Sequence, residues 1–174
     1  MRDFLDKHNF KKITKHGILQ FSKTLPINNL LNRRGMNILL IEDDEVDVMN
    51  LERAFSKNNI IYPLYIAHNG LEALSMLRTN KNGVPPAISA NNLLIVLDMN
   101  MPKMGGIEFL QELRQDIRIR SIPVVILTTS NQQQEKIEAY RFNIAGYIIK
   151  AEVFTKFVET IAILNKYWTL CEIP

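Results

Sequence analysis

Residues 93–102 read Leu93-Leu94-Ile95-Val96-Leu97-Asp98-Met99-Asn100-Met101-Pro102, and their order decides the fold class. Five consecutive aliphatic residues leave no polar face, so the run predicts a strand covered on both sides, as in the middle of a parallel sheet. It stops abruptly at Asp98. Pro102 forbids a simple continuation, and Gly105-Gly106 gives the chain the freedom to turn into a helix. In open α/β sheets, chemistry gathers in the crevice outside the carboxyl ends of the strands. An ionisable group at that edge is a candidate reactive group. From this stretch alone, a solvated aspartate or a helix N-cap reads equally well.

Outward from that stretch the same design recurs. Asn37 to Ile41 is an apolar run ending in Glu42-Asp43-Asp44-Glu45, and Tyr62–Ala67 is a further strand. Pro123 to Leu127 ends in Thr128-Thr129-Ser130, and Gly146 to Ile149 ends in Lys150. Helical spacing fills the intervals. Val46, Met49, Leu51, Ala54 and Phe55 share one face, and Leu71, Leu74 and Leu77 follow Asn69 as an N-cap. Phe109, Leu110 and Leu113 point inward from a helix over 106–115, and a polar helix runs from Asn131 to about Arg141. A last helix, Val153 to Trp168, repeats apolar residues at Phe154, Phe157, Val158, Ile161 and Leu164. Residues 79–92, with Gly83, Pro85 and Pro86, read as a long surface loop. Five strand-like runs alternating with five helical ones predict an α/β fold: a doubly wound, five-stranded parallel sheet in a flavodoxin-like three-layer sandwich.

The totals agree. At 174 residues, 47% hydrophobic and 22% charged, the chain suits one domain with a sizeable core. The single Cys171 excludes an intrachain disulfide and a cysteine-based metal cluster, which is compatible with a reducing cytoplasm. The longest apolar runs fall well short of ~20 residues, so no membrane span is expected, and no apolar signal-peptide region opens the chain. The net charge of +3 is unevenly placed: residues 1–35 carry eight Lys/Arg against two Asp, and the remainder thirteen against sixteen Asp/Glu. The basic character belongs to the leading segment and gives no support for a nucleic-acid-binding core. Residues 1–35 are expected to be a basic, poorly ordered N-terminal extension, and 36–174 the folded domain with a short C-terminal tail. A short amphipathic helix around Phe10 to Phe21, or a basic arm for an anionic partner, is the alternative for that segment.

Each candidate reactive side chain directly follows a strand: Glu42 and Asp43 the first, Asp98 the third, Thr128 the fourth, Lys150 the fifth. Parallel strands put all these ends on one edge. Carboxylates meeting there repel one another at low effective dielectric, and a bound divalent cation resolves this. Hard oxygen donors with no Cys or His favour Mg²⁺ over zinc. The arrangement suits phosphoryl transfer: a carboxylate nucleophile can form an acyl phosphate, with cation and lysine neutralising the phosphoryl oxygens. Asp98 is the candidate nucleophile, Lys150 the charge partner and the Thr128 hydroxyl a donor. Singly, each has a plainer role, with Lys150 a surface lysine, Thr128 an N-cap and Asp43-Asp44 a capping cluster.

Ile-Glu-Asp-Asp (41–44), Leu-Asp-Met-Asn-Met-Pro-Lys-Met-Gly-Gly (97–106), Leu-Thr-Thr-Ser (127–130) and Gly-Tyr-Ile-Ile-Lys (146–150) resemble, in order, the receiver domain of two-component response regulators over about residues 37–168. The resemblance implies that Asp98 accepts a phosphoryl group from a sensor histidine kinase or a phosphotransfer protein. It implies that Glu42, Asp43, Asp98 and the Asn100 main-chain carbonyl hold Mg²⁺. It implies that Thr128 and Lys150 contact the phosphoryl group, and that Tyr147 swings inward with Thr128 on activation. The protein would be a cytoplasmic phosphoacceptor and not an enzyme on a separate substrate. With few residues after the last helix, its output would be a protein–protein contact or onward relay.

Three departures from the family pattern bear on this. Ala151 stands where proline, often after a cis bond, is frequent. Glu42 stands where Asp is common, its extra methylene leaving room for a water before the metal. Gly105 stands where an acidic residue is common. The loop at 79–92 and the tail after Trp168 are similar to the phytochrome-associated single-domain subgroup, in which the last strand and last two helices often form a homodimer face. Tyr140, Phe142, Tyr167 and Trp168 are candidates for that face, with at least two expected to pack inside the monomer. Two other readings compete: a receiver fold used only for docking, and a phosphohydrolase of the haloacid-dehalogenase type. The latter needs a second acidic residue two positions after its nucleophile, where this chain has Asn100. A nucleotide-binding loop is weaker still, since Glu-Asp-Asp-Glu replaces a glycine-rich turn.

Overall fold

The computed structural model describes residues 12–13, 18–19, 36–79, 83 and 85–171. The chain runs β1 (Lys12–Ile13), β2 (Ile18–Leu19), β3 (Asn37–Ile41), α1 (Glu45–Lys57), β4 (Leu64–Ala67), α2 (Gly70–Leu77), β5 (Leu93–Leu97), α3 (Gly106–Gln115), β6 (Val124–Thr128), α4 (Gln133–Arg141), β7 (Gly146–Ile149) and α5 (Phe154–Leu170). Strands β3 to β7 are parallel in the order β4-β3-β5-β6-β7, the expected five-stranded sheet.

One addition was not expected. β1 and β2 form a short antiparallel pair, and β2 joins the free edge of β4 through Ile18–Tyr65 and Leu19–Leu64, making seven strands among the described residues. Where a helix over Phe10 to Phe21 is the sequence alternative, these four residues are extended. The β-branched Ile13 and Ile18 suit strand pairing better than a helix interrupted by Gly17. The remainder of 1–35, about which poor order is expected, lies outside the described residues, as do 80–82, 84 and 172–174.

Alternation along each strand divides the core. On one face Leu39, Ile41, Leu93, Ile95 and Leu97 pack with Leu74 and Leu77 of α2 and Phe109, Leu110 and Leu113 of α3. On the other, Ile38, Leu40, Leu94 and Val96 pack with Val48, Leu51 and Phe55 of α1 and Phe157, Ile161 and Trp168 of α5. This is why β5 reads as five aliphatic residues: both its faces are covered, at about 2–3 kcal/mol for each fully buried side chain. Asn69 caps α2 as expected, its Oδ1 accepting from Glu72 N at 3.1 Å.

At the far end of the sheet from its carboxyl edge, Asp116 closes α3. It accepts from Arg118 Nη2 at 2.9 Å and Arg78 Nε at 3.1 Å. The Arg118 hydrogen bond chiefly, then Arg78, holds its carboxyl down at about 2. A folded pKa below the unfolded value stabilises above about pH 4 and is lost as pH falls toward 2. With Arg118 largely exposed, we expect Asp116→Asn to cost about 1 kcal/mol at pH 7 and only a small part of that at pH 2, measured by urea denaturation across that range.

Candidate functional site

β3 sends the chain to β4 on one side, while β5 lies on its other side. The crevice at this reversal opens beyond the carboxyl ends of β3 and β5, where strand order makes a ligand site. Ladder bonds extend one residue past each strand: Asp98 N donates to Ile41 O at 2.9 Å, Glu42 N to Ala67 O at 2.9 Å, and Lys150 N to Thr128 O at 2.8 Å. The reactive side chains thus leave from pinned backbone.

Asp98 and Glu42 are 5% and 4% exposed, and Thr128 is fully buried. Asp98 Oδ2 accepts from Asn100 N at 2.7 Å, which fixes its rotamer. Lys150 Nζ donates to Glu42 Oε2 and to Asp47 Oδ2, both at 2.6 Å, and lies 3.3 Å from Asp98 Oδ1. The plain reading of Lys150 as a surface lysine does not hold, because its side chain is 10% exposed. Burial works against the ammonium, but the hydrogen bonds to Asp47 and Glu42 outweigh it and hold its pKa above the ordinary lysine range. Burial pushes the Glu42 carboxyl up to about 7, against the pull of Lys150, and the neighbouring Asp98 charge adds to the rise.

Asp43 and Asp44 part company. Asp44 caps α1, its Oδ1 accepting from Val46 N at 2.7 Å. Exposed Asp43 joins Glu42 and Asp98, one oxygen from each lying within 4.8 Å of the others. At that spacing two carboxylates repel by ~3 kcal/mol at an effective dielectric near 20. The three donors are hard oxygens, the set that suits a small divalent cation.

Thr128 is not an N-cap: its Oγ1 accepts from Ser130 N at 3.2 Å, and α4 begins at Gln133. Half-buried Tyr147 donates its hydroxyl to Ser130 O at 3.2 Å and packs against the α2–α3 core. Burial pushes the Tyr147 hydroxyl up, with the Ser130 bond opposing and the Glu135 and Asp98 charges adding. The Ser130 hydroxyl in turn bonds Glu135 of α4.

Every expected site residue lies at this edge. Two contributors went unnamed in the sequence: Asp47, and the Ser130–Glu135 pair. Asp47 stands four positions after Asp43 in the first turn of α1, but its reach to Lys150 depends on how that helix is rotated about its axis. Ala151 leaves no cis bond after Lys150. Phe142 and Trp168 pack inside the monomer, whereas Tyr140 and Tyr167 are exposed.

The turn into α3 has little slack. A Cβ at Gly106 would lie 2.9 Å from Met99 Cα and 3.0 Å from Asp98 O, both backbone atoms. We expect Gly106→Ala to cost about 2 kcal/mol in urea denaturation and to weaken cation binding, since relief requires moving the Asp98–Met99 backbone.

Comparison with known proteins places this geometry among others. The family model described as "Response regulator receiver domain" matches residues 38–162. The chain is 32% identical over 133 residues to a probable methanogenesis regulatory protein, FilR2, of Methanothrix harundinacea, covering 75% of this chain and 82% of that protein. It is 30% identical over 134 residues to the response regulator Rcp1 of Synechocystis, covering 75% and 87%. The crystal structure of the Mn²⁺-bound form of Rcp1 superposes with a TM-score of 0.68 at 29% identity, covering 80% of this chain and 99% of that one. The phosphorylated cyanobacterial phytochrome response regulator RcpA gives 0.68 at 26% identity, covering 80% and 98%. No helix among the described residues is long and apolar enough to cross a membrane.

Proposed function

This chain belongs to the response regulator receiver domain family, and from that premise we propose that Asp98 accepts a phosphoryl group from a phosphohistidine on a sensor histidine kinase or a phosphotransfer protein. One Asp98 oxygen attacks phosphorus, the P–O bond forms as the P–N bond breaks, and the departing imidazole takes a proton from solvent. The observation that carries this reading is the meeting of Asp98, Glu42, Asp43 and Lys150 at the β3–β5 reversal, with Thr128 closing the neighbouring strand β6.

Glu42, Asp43, Asp98 and the Asn100 carbonyl are the residues that would hold Mg²⁺. Once bound, the cation would neutralise charge on the phosphoryl oxygens. The residues of the chain do the rest. Asn100 N–H keeps Asp98 in one rotamer. Lys150 supplies an ammonium to a phosphoryl oxygen, and the Thr128 hydroxyl turns from its Ser130 contact to donate to another. Tyr147, tethered to the carbonyl of the residue whose N–H Thr128 holds, follows that movement, so the surface of β7, α4 and α5 changes with phosphorylation. That surface exposes Ile137, Tyr140, Ile149 and Tyr167, which suits a downstream protein or a second copy of the chain. On this reading the protein is a cytoplasmic switch, with 36–174 the receiver and 1–35 a basic extension, and it acts on proteins and not on nucleic acid.

Beryllofluoride, a mimic of an aspartyl phosphate, tests the reading. With Mg²⁺ present it should bind saturably and shift the Thr128 and Tyr147 signals in nuclear magnetic resonance spectra. Absence of binding overturns the reading in favour of a docking module. Sustained turnover of a phosphomonoester overturns it in favour of a hydrolase.

A further inference from the structure

Lys150 is placed in a conflict. Its Nζ lies 2.6 Å from Glu42 Oε2 and 3.3 Å from Asp98 Oδ1. Both carboxylates belong to the set of oxygens fit for a cation. A divalent ion and an ammonium drawn to the same oxygens repel one another. Asp47 offers a way out. Its Oδ2 also lies 2.6 Å from Lys150 Nζ, yet Asp47 stands outside the cation set. It occupies the first turn of α1, where the helix N-terminus favours a negative charge. Its side chain is 30% exposed, so water shares that charge, unlike the charges of Glu42 and Asp98.

We propose that Asp47 is a positioning residue for Lys150: it draws the ammonium off Glu42 and Asp98 so that a divalent cation can take them, and holds it at the pocket wall until phosphoryl oxygens compete for it. The inference rests on the phosphoacceptor reading and deepens it. It has two consequences of opposite sign. Without the Asp47 carboxylate the ammonium falls back on Glu42 and Asp98, so cation binding weakens. Once the cation is in place, nothing but the phosphoryl group competes for the ammonium, so a phosphoryl mimic binds tighter.

The test is calorimetric titration of the full chain, as wild type, Asp47→Asn, Asp47→Glu, Lys150→Met and the double variant Asp47→Asn/Lys150→Met. Mg²⁺ is titrated first, then beryllofluoride at saturating Mg²⁺. Asp47→Asn should weaken Mg²⁺ about fivefold beside Lys150 and by less than about twofold on top of Lys150→Met, and tighten beryllofluoride about threefold. Asp47→Glu, which keeps a carboxylate in reach of Lys150, should restore most of the Mg²⁺ affinity. An equal loss in both backgrounds would reduce Asp47 to a distant charge and overturn the proposal. So would unchanged Mg²⁺ affinity, or weaker beryllofluoride binding. A wild type that binds neither probe overturns the phosphoacceptor reading itself, an outcome separate from any behaviour of the Asp47 variants.

Discussion

Asp98→Asn is expected to abolish phosphoryl uptake, with a loss of about 10³-fold or more in the rate of transfer from a small phosphodonor. The amide has nearly the shape of the carboxylate but lacks the charged oxygen that attacks phosphorus. The pocket should keep its form. Asp98 N donates to Ile41 O through the backbone, and the Asn100 N–H can still find the side-chain oxygen at position 98. Removing this charge also relieves its repulsion of Glu42, while giving up the 3.3 Å contact with Lys150. These effects oppose, so stability should change by less than about 1 kcal/mol. Phosphorus magnetic resonance follows uptake and urea denaturation follows stability. A variant that still gains phosphorus would place the acceptor elsewhere on the chain.

The strand and helix framework was legible because burial on both faces writes itself as unbroken aliphatic runs. Leu93–Leu97 and Val124–Thr128 are buried at every position, and neither pattern fits a half-exposed element. Where the sheet meets solvent the signal thins. The strand expected at Tyr62–Ala67 begins at Leu64, because Pro63 lacks an N–H to enter the ladder. The β1–β2 pair was invisible, since two residues per strand are too few for any periodicity to register.

The same division holds at the site. Residues at strand ends could be placed on one edge from topology, and Glu42, Asp43, Asp98 and Lys150 meet there. What topology does not give is the rotation of a helix about its own axis. Asp47 lies inside α1, and only that rotation turns its carboxylate toward Lys150, which follows β7, the strand farthest across the parallel sheet on that side of β3. The Ser130–Glu135 bond likewise depends on how the β6–α4 loop turns back on its helix. Charge pairing between segments 103 residues apart is a tertiary fact that local sequence does not carry.

Lys150→Met carries the second large expected effect, and its three parts do not run in one direction. The methionine keeps the length and apolar stem of the lysine and removes only the ammonium. Glu42 and Asp98 lose the positive charge that now shares their oxygens, so Mg²⁺ should bind about tenfold tighter. Without Mg²⁺ the buried Glu42 is left without its ion partner, and stability should drop by about 2 kcal/mol, moderated by proton uptake on a carboxyl already raised to about 7. Added Mg²⁺ should restore that loss. Phosphoryl transfer should nevertheless slow by about 10²-fold, because the oxygens gaining charge in the transition state lose a fixed cation that Mg²⁺ does not replace. Calorimetry, urea denaturation with and without Mg²⁺, and transfer kinetics read the three parts separately. Tighter cation binding alongside slower transfer would mark Lys150 as a group that serves the phosphoryl oxygens at the expense of the metal. Weaker cation binding would mean that the ammonium organises the carboxylates instead of competing for them.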